Sequence, residues 1–173
     1  MDLNAILRTV PDFPKKGIMF KDITTVLKDR DAFRYCVDTM ADHYQDKGIT
    51  KVIGIESRGF ILGAALAYQL NAGFIPVRKP GKLPAPTIRQ EYQLEYGTDA
   101  IEIHNDAITK GERVLIHDDV LATGGTMKAA CALVNSLGGE IAGLSFIIEL
   151  AFLQPRKKLP GYDIFSLLTY NEE

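Results

Sequence analysis

The segment Arg113-Val-Leu-Ile-His-Asp-Asp-Val-Leu-Ala-Thr-Gly-Gly-Thr126 decides the fold. Val114 to Ile116 is a short apolar run with branched residues, the pattern of a strand buried on both faces. Asp118 and Asp119 follow, where that strand is expected to end. Ala122-Thr123-Gly124-Gly125-Thr126 then opens a helix that carries Met127, Ala130, Leu133 and Val134 at helical spacing. It stops before Gly138-Gly139, glycines being a common helix stop.

That order of residues has a chemistry. Gly124 and Gly125 allow backbone conformations closed to other residues, so several amide N–H groups can face one concavity. Thr123 and Thr126 add hydroxyl donors. The first amides of a helix have no internal partner, and the helix dipole favours an anion there by about 0.3–1 kcal/mol. Together these make a phosphate cradle. Two carboxylates beside a phosphate need other work. Vicinal sugar hydroxyls can donate to them, and Mg2+ can offset their charge. A phosphorylated ribose fits all three demands. The plainer alternative is a tight strand-to-helix turn with a solvated acidic end. No lysine follows the glycines, so this is not a Walker A loop, and Gly-x-Gly-x-x-Gly is absent.

The totals narrow the rest. A chain of 173 residues has room for one domain with one good core. The hydrophobic fraction of 46% and charged fraction of 24% are ordinary for a globular protein. The net charge of −2, with no basic run, gives no footprint for nucleic acid. No stretch reads as a membrane span, and Met1-Asp2-Leu3-Asn4 lacks the basic head of a signal peptide, so a cytoplasmic protein is expected. Cys36 and Cys131 fall in expected helices, as buried free thiols.

Taken in order, Leu3 to Val10 suggests a short amphipathic helix, and Pro11 to Gly17 then forbids regular structure. Ile18 to Ile23 is extended and apolar, and the pattern alone fits either a strap packed on the core or a flap over a pocket. Phe33, Cys36, Val37, Met40, Ala41 and Tyr44 recur at helical spacing, with Asp31 as N-cap and Gly48 just past the end. Val52 to Ile55 is a buried strand, Glu56-Ser57-Arg58-Gly59 its loop, and Ile61 to Leu70 an apolar helix. Ligands of open parallel sheets bind outside the carboxyl ends of strands, so this loop and the Asp118-Asp119 loop are expected to face one crevice. Arg58 taken by itself reads as a surface ion pair. Gly73 to Val77 is a third strand. The connection from Arg78 to Ile101 is long enough for a lid, and Arg78, Lys79 and Lys82 suit a diphosphate. Ile101 to His104 reads as an edge strand, Glu140 to Leu150 as a long apolar strand, and Ile164 to Leu168 as the last. The charges of Arg156, Lys157 and Lys158 read as solvated, and His117 as a packing residue pointing away from the carboxylates.

The segment Asp118 to Met127, with Glu56 to Gly59, Gln93 to Gly97 and Pro11 to Ile23, resembles the type I phosphoribosyltransferases, over nearly the whole chain. Within that family the likeness is to members that use adenine. The resemblance implies an α/β fold with a mainly parallel sheet of about five strands flanked by helices. It adds a small N-terminal hood over about residues 1–30 and a long flexible lid loop over about residues 78–100 of a single domain. It implies transfer of a 5-phosphoribosyl group from phosphoribosyl diphosphate (PRPP) to adenine, giving AMP and diphosphate in purine salvage. Phe20 would stack on the purine, with backbone groups of Met19 and Lys21 reading its edge. Ala122 to Thr126 would hold the sugar phosphate and Asp118 and Asp119 the ribose. Glu56, Ser57, Arg58, Arg78, Lys79 and Lys82 would surround the diphosphate, and Arg78 could reach a neighbouring subunit. Glu95 would handle the purine proton and Tyr96 would close the lid. Mg2+ would be held mainly through PRPP and water, and the family likeness implies a homodimer. Three alternatives stay open: a phosphoribosyltransferase for xanthine or hypoxanthine, a non-catalytic PRPP-sensing regulator, and a nucleotide-binding module without catalysis.

Overall fold

A computed structural model describes residues 1–94 and 97–172. Helix α1 (Leu3–Ile6) is capped by the Asp2 carboxylate, which accepts from the amides of Asn4 and Ala5. The chain then leaves the helix earlier than its periodicity suggests. β1 (Arg8–Pro11) pairs antiparallel with β2 (Met19–Asp22), and this pairing claims residues 8–10 for a strand. The two strands form a small N-terminal ribbon within the segment expected as the hood. The short α2 (Thr24–Lys28) leads to α3 (Arg30–Tyr44), whose cap is Asp29 rather than Asp31. Asp29 is extended, and its carboxylate accepts from the amides of Asp31 and Ala32, which places Asp31 in the first turn.

β3 (Lys51–Ile55), α4 (Gly59–Gln69) and β4 (Gly73–Val77) follow. The long connection is not an irregular loop throughout. β5 (Thr87–Gln93) and β6 (Thr98–His104) form an antiparallel ribbon, and residues 95 and 96 lie outside the described residues. β7 (Arg113–Leu121), α5 (Gly125–Ser136), β8 (Glu140–Leu150) and β9 (Ile164–Tyr170) complete the chain. β7 runs through Asp118 and Asp119 instead of ending before them, because β8 continues beside it as far as Leu121.

The main sheet has the order β4-β3-β7-β8-β9, and every pairing in it is parallel. Side chains alternate across it. Ile53, Ile55, Val114 and Ile116 pack with α5 and with Ile101 and Ile103 of the ribbon. Val52, Leu115 and Ile147 pack with α1, α3 and α4. The order reverses between β3 and β7, whose following helices cover opposite faces of the sheet. A crevice opens at the carboxyl ends of strands at such a switch point. Gly59 brings its walls close, since a Cβ there would lie 3.0 Å from the His117 carbonyl oxygen and 3.1 Å from Asp118 Oδ1.

The turn at residues 155–158 is a 3-10 helix, and its charges are not all solvated. Arg156 clasps the carboxylate of Glu149 with two bonds of 2.7 Å, while Glu149 is 2% exposed. A buried carboxylate needs a cation, and the chain folds back to supply it. Both cysteines are buried and free.

Candidate active site

At the switch point lies a cavity of about 590 Å3. The hood supplies Ile18, Met19, Phe20 and Lys21, and the loop after β3 supplies Glu56, Ser57 and Arg58. β7 and the turn after it supply Asp118, Asp119, Val120, Ala122 and Thr126, while Lys79 and Tyr92 close another side. A smaller cavity, bounded by Asp118, Ala122, Thr123, Gly124 and Thr126, shares Asp118, Val120, Ala122 and Thr126 with the wall of the larger one. Segments far apart in sequence therefore meet around the larger cavity.

The turn has the conformation the glycines allow. Gly124 has a φ of +80°, the left-handed region, and precedes the first turn of α5. Among the described residues, the amides of Thr123 through Met127 donate to no protein oxygen, so they remain available at the helix start. The smaller cavity lies against this run. Gly125 sits under the ribbon instead, a Cβ there lying 3.5 Å from the Gln93 carbonyl oxygen.

Asp118 Oδ1 accepts from the amide of Asp119 at 2.9 Å. Burial, and then the charge of Asp119, raise the Asp118 carboxyl well above its ordinary range. Burial raises Asp119 too, with the Arg58 guanidinium acting against it. Arg58 Nε lies 2.6 Å from Asp119 Oδ2, an ion contact without hydrogen-bond alignment. The Arg58 guanidinium carbon also lies 5.6 Å from the centre of the Phe20 ring, and Phe13 meets that ring edge-on at 5.0 Å.

The Glu56–Ser57 peptide is cis. The Glu56 carboxylate lies at the cavity and has protein donors beside it. It accepts from the Lys79 amide at 2.8 Å and from Arg78 at 3.3 Å, and lies 3.7 Å from Lys82 Nζ. Arg78 and Lys82 do not line the cavity. Lys79 bonds Tyr92 Oη at 3.0 Å and Asp99. Glu95 and Tyr96 lie outside the described residues. His117 is buried, with Nδ1 3.0 Å from Ser145 Oγ, and burial drives its pKa down to about 3, so the ring is neutral. Strand alternation turns it away from Asp118 but onto the face that Asp119 shares. Motif reading missed Tyr92, Val120 and Ile101, whose place at the cavity only the folded ribbon and the length of β7 reveal.

The profile of the phosphoribosyl transferase domain family matches residues 22–167. A relative from Geobacter metallireducens, named adenine phosphoribosyltransferase, is 62% identical, over 98% of this chain and 99% of its own length. The adenine phosphoribosyltransferase of Acidobacterium capsulatum is 61% identical, over 98% and 94%. Among solved structures, adenine phosphoribosyltransferase from Thermoanaerobacter pseudethanolicus superposes with a TM-score of 0.95 at 54% identity, covering 98% of both chains. The Saccharomyces cerevisiae enzyme, complexed with adenine and an imino-altritol bisphosphate, gives 0.92 at 39% identity, over 96% and 97%. The chain belongs to the phosphoribosyltransferase family.

Proposed function

We propose that the protein transfers the 5-phosphoribosyl group of PRPP to adenine, giving AMP and diphosphate in purine salvage. One observation carries this reading: the hood, the loop after β3 and the Asp118–Thr126 segment, each matched to a separate part of the two substrates, line one cavity and a smaller one that shares part of its wall. The names of the relatives support adenine as the base.

In the reaction the bond from ribose C1 to the diphosphate oxygen breaks and a bond to the purine nitrogen forms. Positive charge develops on the sugar between the two events. No protein nucleophile is required. The amides of Thr123 to Thr126 fix the 5-phosphate, and Asp118 and Asp119 accept from the ribose hydroxyls beside the developing charge. Arg58 and Lys79 face the departing diphosphate. The nitrogen that attacks gives up its proton, and the family likeness assigns that proton to Glu95 and closure of the lid to Tyr96.

Adenine presents an amino donor beside a ring-nitrogen acceptor, whereas hypoxanthine presents the reverse. Fixed backbone groups of Met19 and Lys21 fit one arrangement, and the other base leaves polar groups unpaired at about 1–3 kcal/mol each. The donor set suits Mg2+ carried on the diphosphate. Asp118 and Asp119 face the cavity, while among the described residues no three acidic, His or Cys side chains converge as a protein cage. Mg2+ bound with PRPP would neutralise charge on the leaving group.

A homodimer is the assembly that the family likeness implies, and α4 supports it: the helix has no charged residue, yet leaves Ile61 44% and Tyr68 87% exposed on one side. The inferred compartment is the cytoplasm. No helix among the described residues is long and apolar enough to cross a membrane, and the two free thiols fit a reducing environment.

The test is diphosphate release from PRPP and Mg2+ with adenine, hypoxanthine, xanthine or guanine. Release with adenine alone is expected. Preference for an oxo-purine would overturn the hood assignment. PRPP binding without release for any base would favour the sensing regulator.

A further inference from the structure

Each cation assigned to the diphosphate has a protein carboxylate beside it. Arg58 has Asp119 at 2.6 Å, and Arg78 and Lys82 have Glu56 at 3.3 and 3.7 Å. Glu56 and Asp119 belong to segments already assigned to the site. The partner of Lys79 is Asp99, which stands on β6 outside every motif.

Asp99 is placed by the ribbon. It lies opposite Tyr92 in the register of β5 and β6. The Tyr92 hydroxyl is 3.0 Å from Lys79 Nζ and 3.3 Å from Asp99 Oδ2, so the three side chains close a triangle. Asp99 Oδ1 accepts from the Ala100 amide at 2.8 Å, which fixes the carboxylate. Glu56 fixes the other end by accepting from the Lys79 amide. Lys79 and Tyr92 line the cavity, whereas Asp99 stands behind them. The bond from Lys79 holds the Asp99 carboxyl below its ordinary range.

We infer that Asp99 is an internal counter-ion of Lys79 which a diphosphate must displace, so that it lowers the affinity of the site for diphosphate-bearing ligands and ties their binding to the ribbon. The inference rests on the reading of the cavity as a PRPP site. An ammonium has three N–H donors, and the triangle occupies two of them. A diphosphate that draws Lys79 into the cavity separates it from Asp99, and the measured affinity is the difference between the two partnerships. The pair is part-exposed, at 40% and 33% for the two side chains. Its effect therefore has the size of a surface ion pair, about two- to fivefold in a dissociation constant, and it is screened by salt.

The experiment is calorimetric titration of inorganic diphosphate with Mg2+ into wild type, Asp99→Asn, Lys79→Met and the double variant. Asp99→Asn is expected to tighten binding about two- to fivefold, and less at high salt. Lys79→Met is expected to weaken it, and Asp99→Asn to have no further effect in that background. Unchanged or weaker binding by Asp99→Asn would overturn the inference, as would a gain that persists without Lys79. Should the asparagine variant fail to fold, Asp99→Ser makes the same comparison. Failure of wild type to bind diphosphate would contradict the reading of the cavity itself. Binding by wild type with no change in Asp99→Asn removes only the counter-ion.

Discussion

Asp118 and Asp119, proposed to hold the ribose, stand buried at the cavity in an arrangement that opposes their ionisation. Both carboxyls are raised by burial, Asp118 the more so because Asp119 adds its charge. A carboxyl whose pKa rises on folding favours the folded state while protonated. That contribution is complete below the unfolded pKa of about 4 and is lost as pH climbs through the folded-state value. Asp118→Asn removes the titration. Without substrates, its melting temperature is expected to exceed that of wild type at about pH 7.5 and to converge with it near about pH 4. A variant that melts below wild type at neutral pH would contradict this. The double variant Asp118→Asn with Asp119→Asn is expected to lose at least about a hundredfold in turnover, and near-normal turnover would remove the carboxylates from the mechanism. These residues were legible because they stand together between a strand and a glycine turn. Asp99 was not, because nothing in its own neighbourhood signals that Lys79, twenty positions earlier, comes to meet it.

Elements position these residues through close approaches that the sequence only partly announces. Gly59 lets the start of α4 lie against β7. Gly59→Ala places a methyl against the His117 carbonyl and Asp118 Oδ1, and is expected to cost about 1–3 kcal/mol in denaturant unfolding and to lower turnover. Wild-type values of both would show that the approach does not matter. Arg156→Ala leaves the buried Glu149 carboxylate without a cation, with only the Ser166 hydroxyl donating to it at 3.0 Å, and a loss of about 3 kcal/mol is expected, Arg156 itself being half-exposed. The bond from Arg156 holds the Glu149 carboxyl below its usual range. Its stability is therefore present above the unfolded value and lost as pH falls through the folded one. The variant and wild type should converge in strongly acid solution. The buried strands were legible because Val52 to Ile55 and Val114 to Ile116 are apolar throughout. The ribbon was harder to read. Arg89, Gln90, Glu91 and Gln93 give β5 little apolar alternation, and its pairing depends on packing over α5. The continuation of β7 through two aspartates was likewise hidden, because neither favours a strand without β8 alongside.

At the scale of the whole molecule, strand order places the site. The reversal between β3 and β7 gathers the hood, the loop after β3 and the glycine turn around one space. The same arrangement leaves the uncharged outer side of α4 without cover. Light scattering is expected to give twice the chain mass for wild type and a monomer for Ile61→Glu with Tyr68→Glu; a monomeric wild type would contradict the assembly. The most direct measurement of the central claim is a crystal structure with AMP. The account predicts the phosphate within about 2.7–3.2 Å of the amides of Thr123 to Thr126, the ribose on Asp118 and Asp119, and the base against Phe20. AMP bound with its phosphate away from those amides, or its base away from the hood, would contradict it.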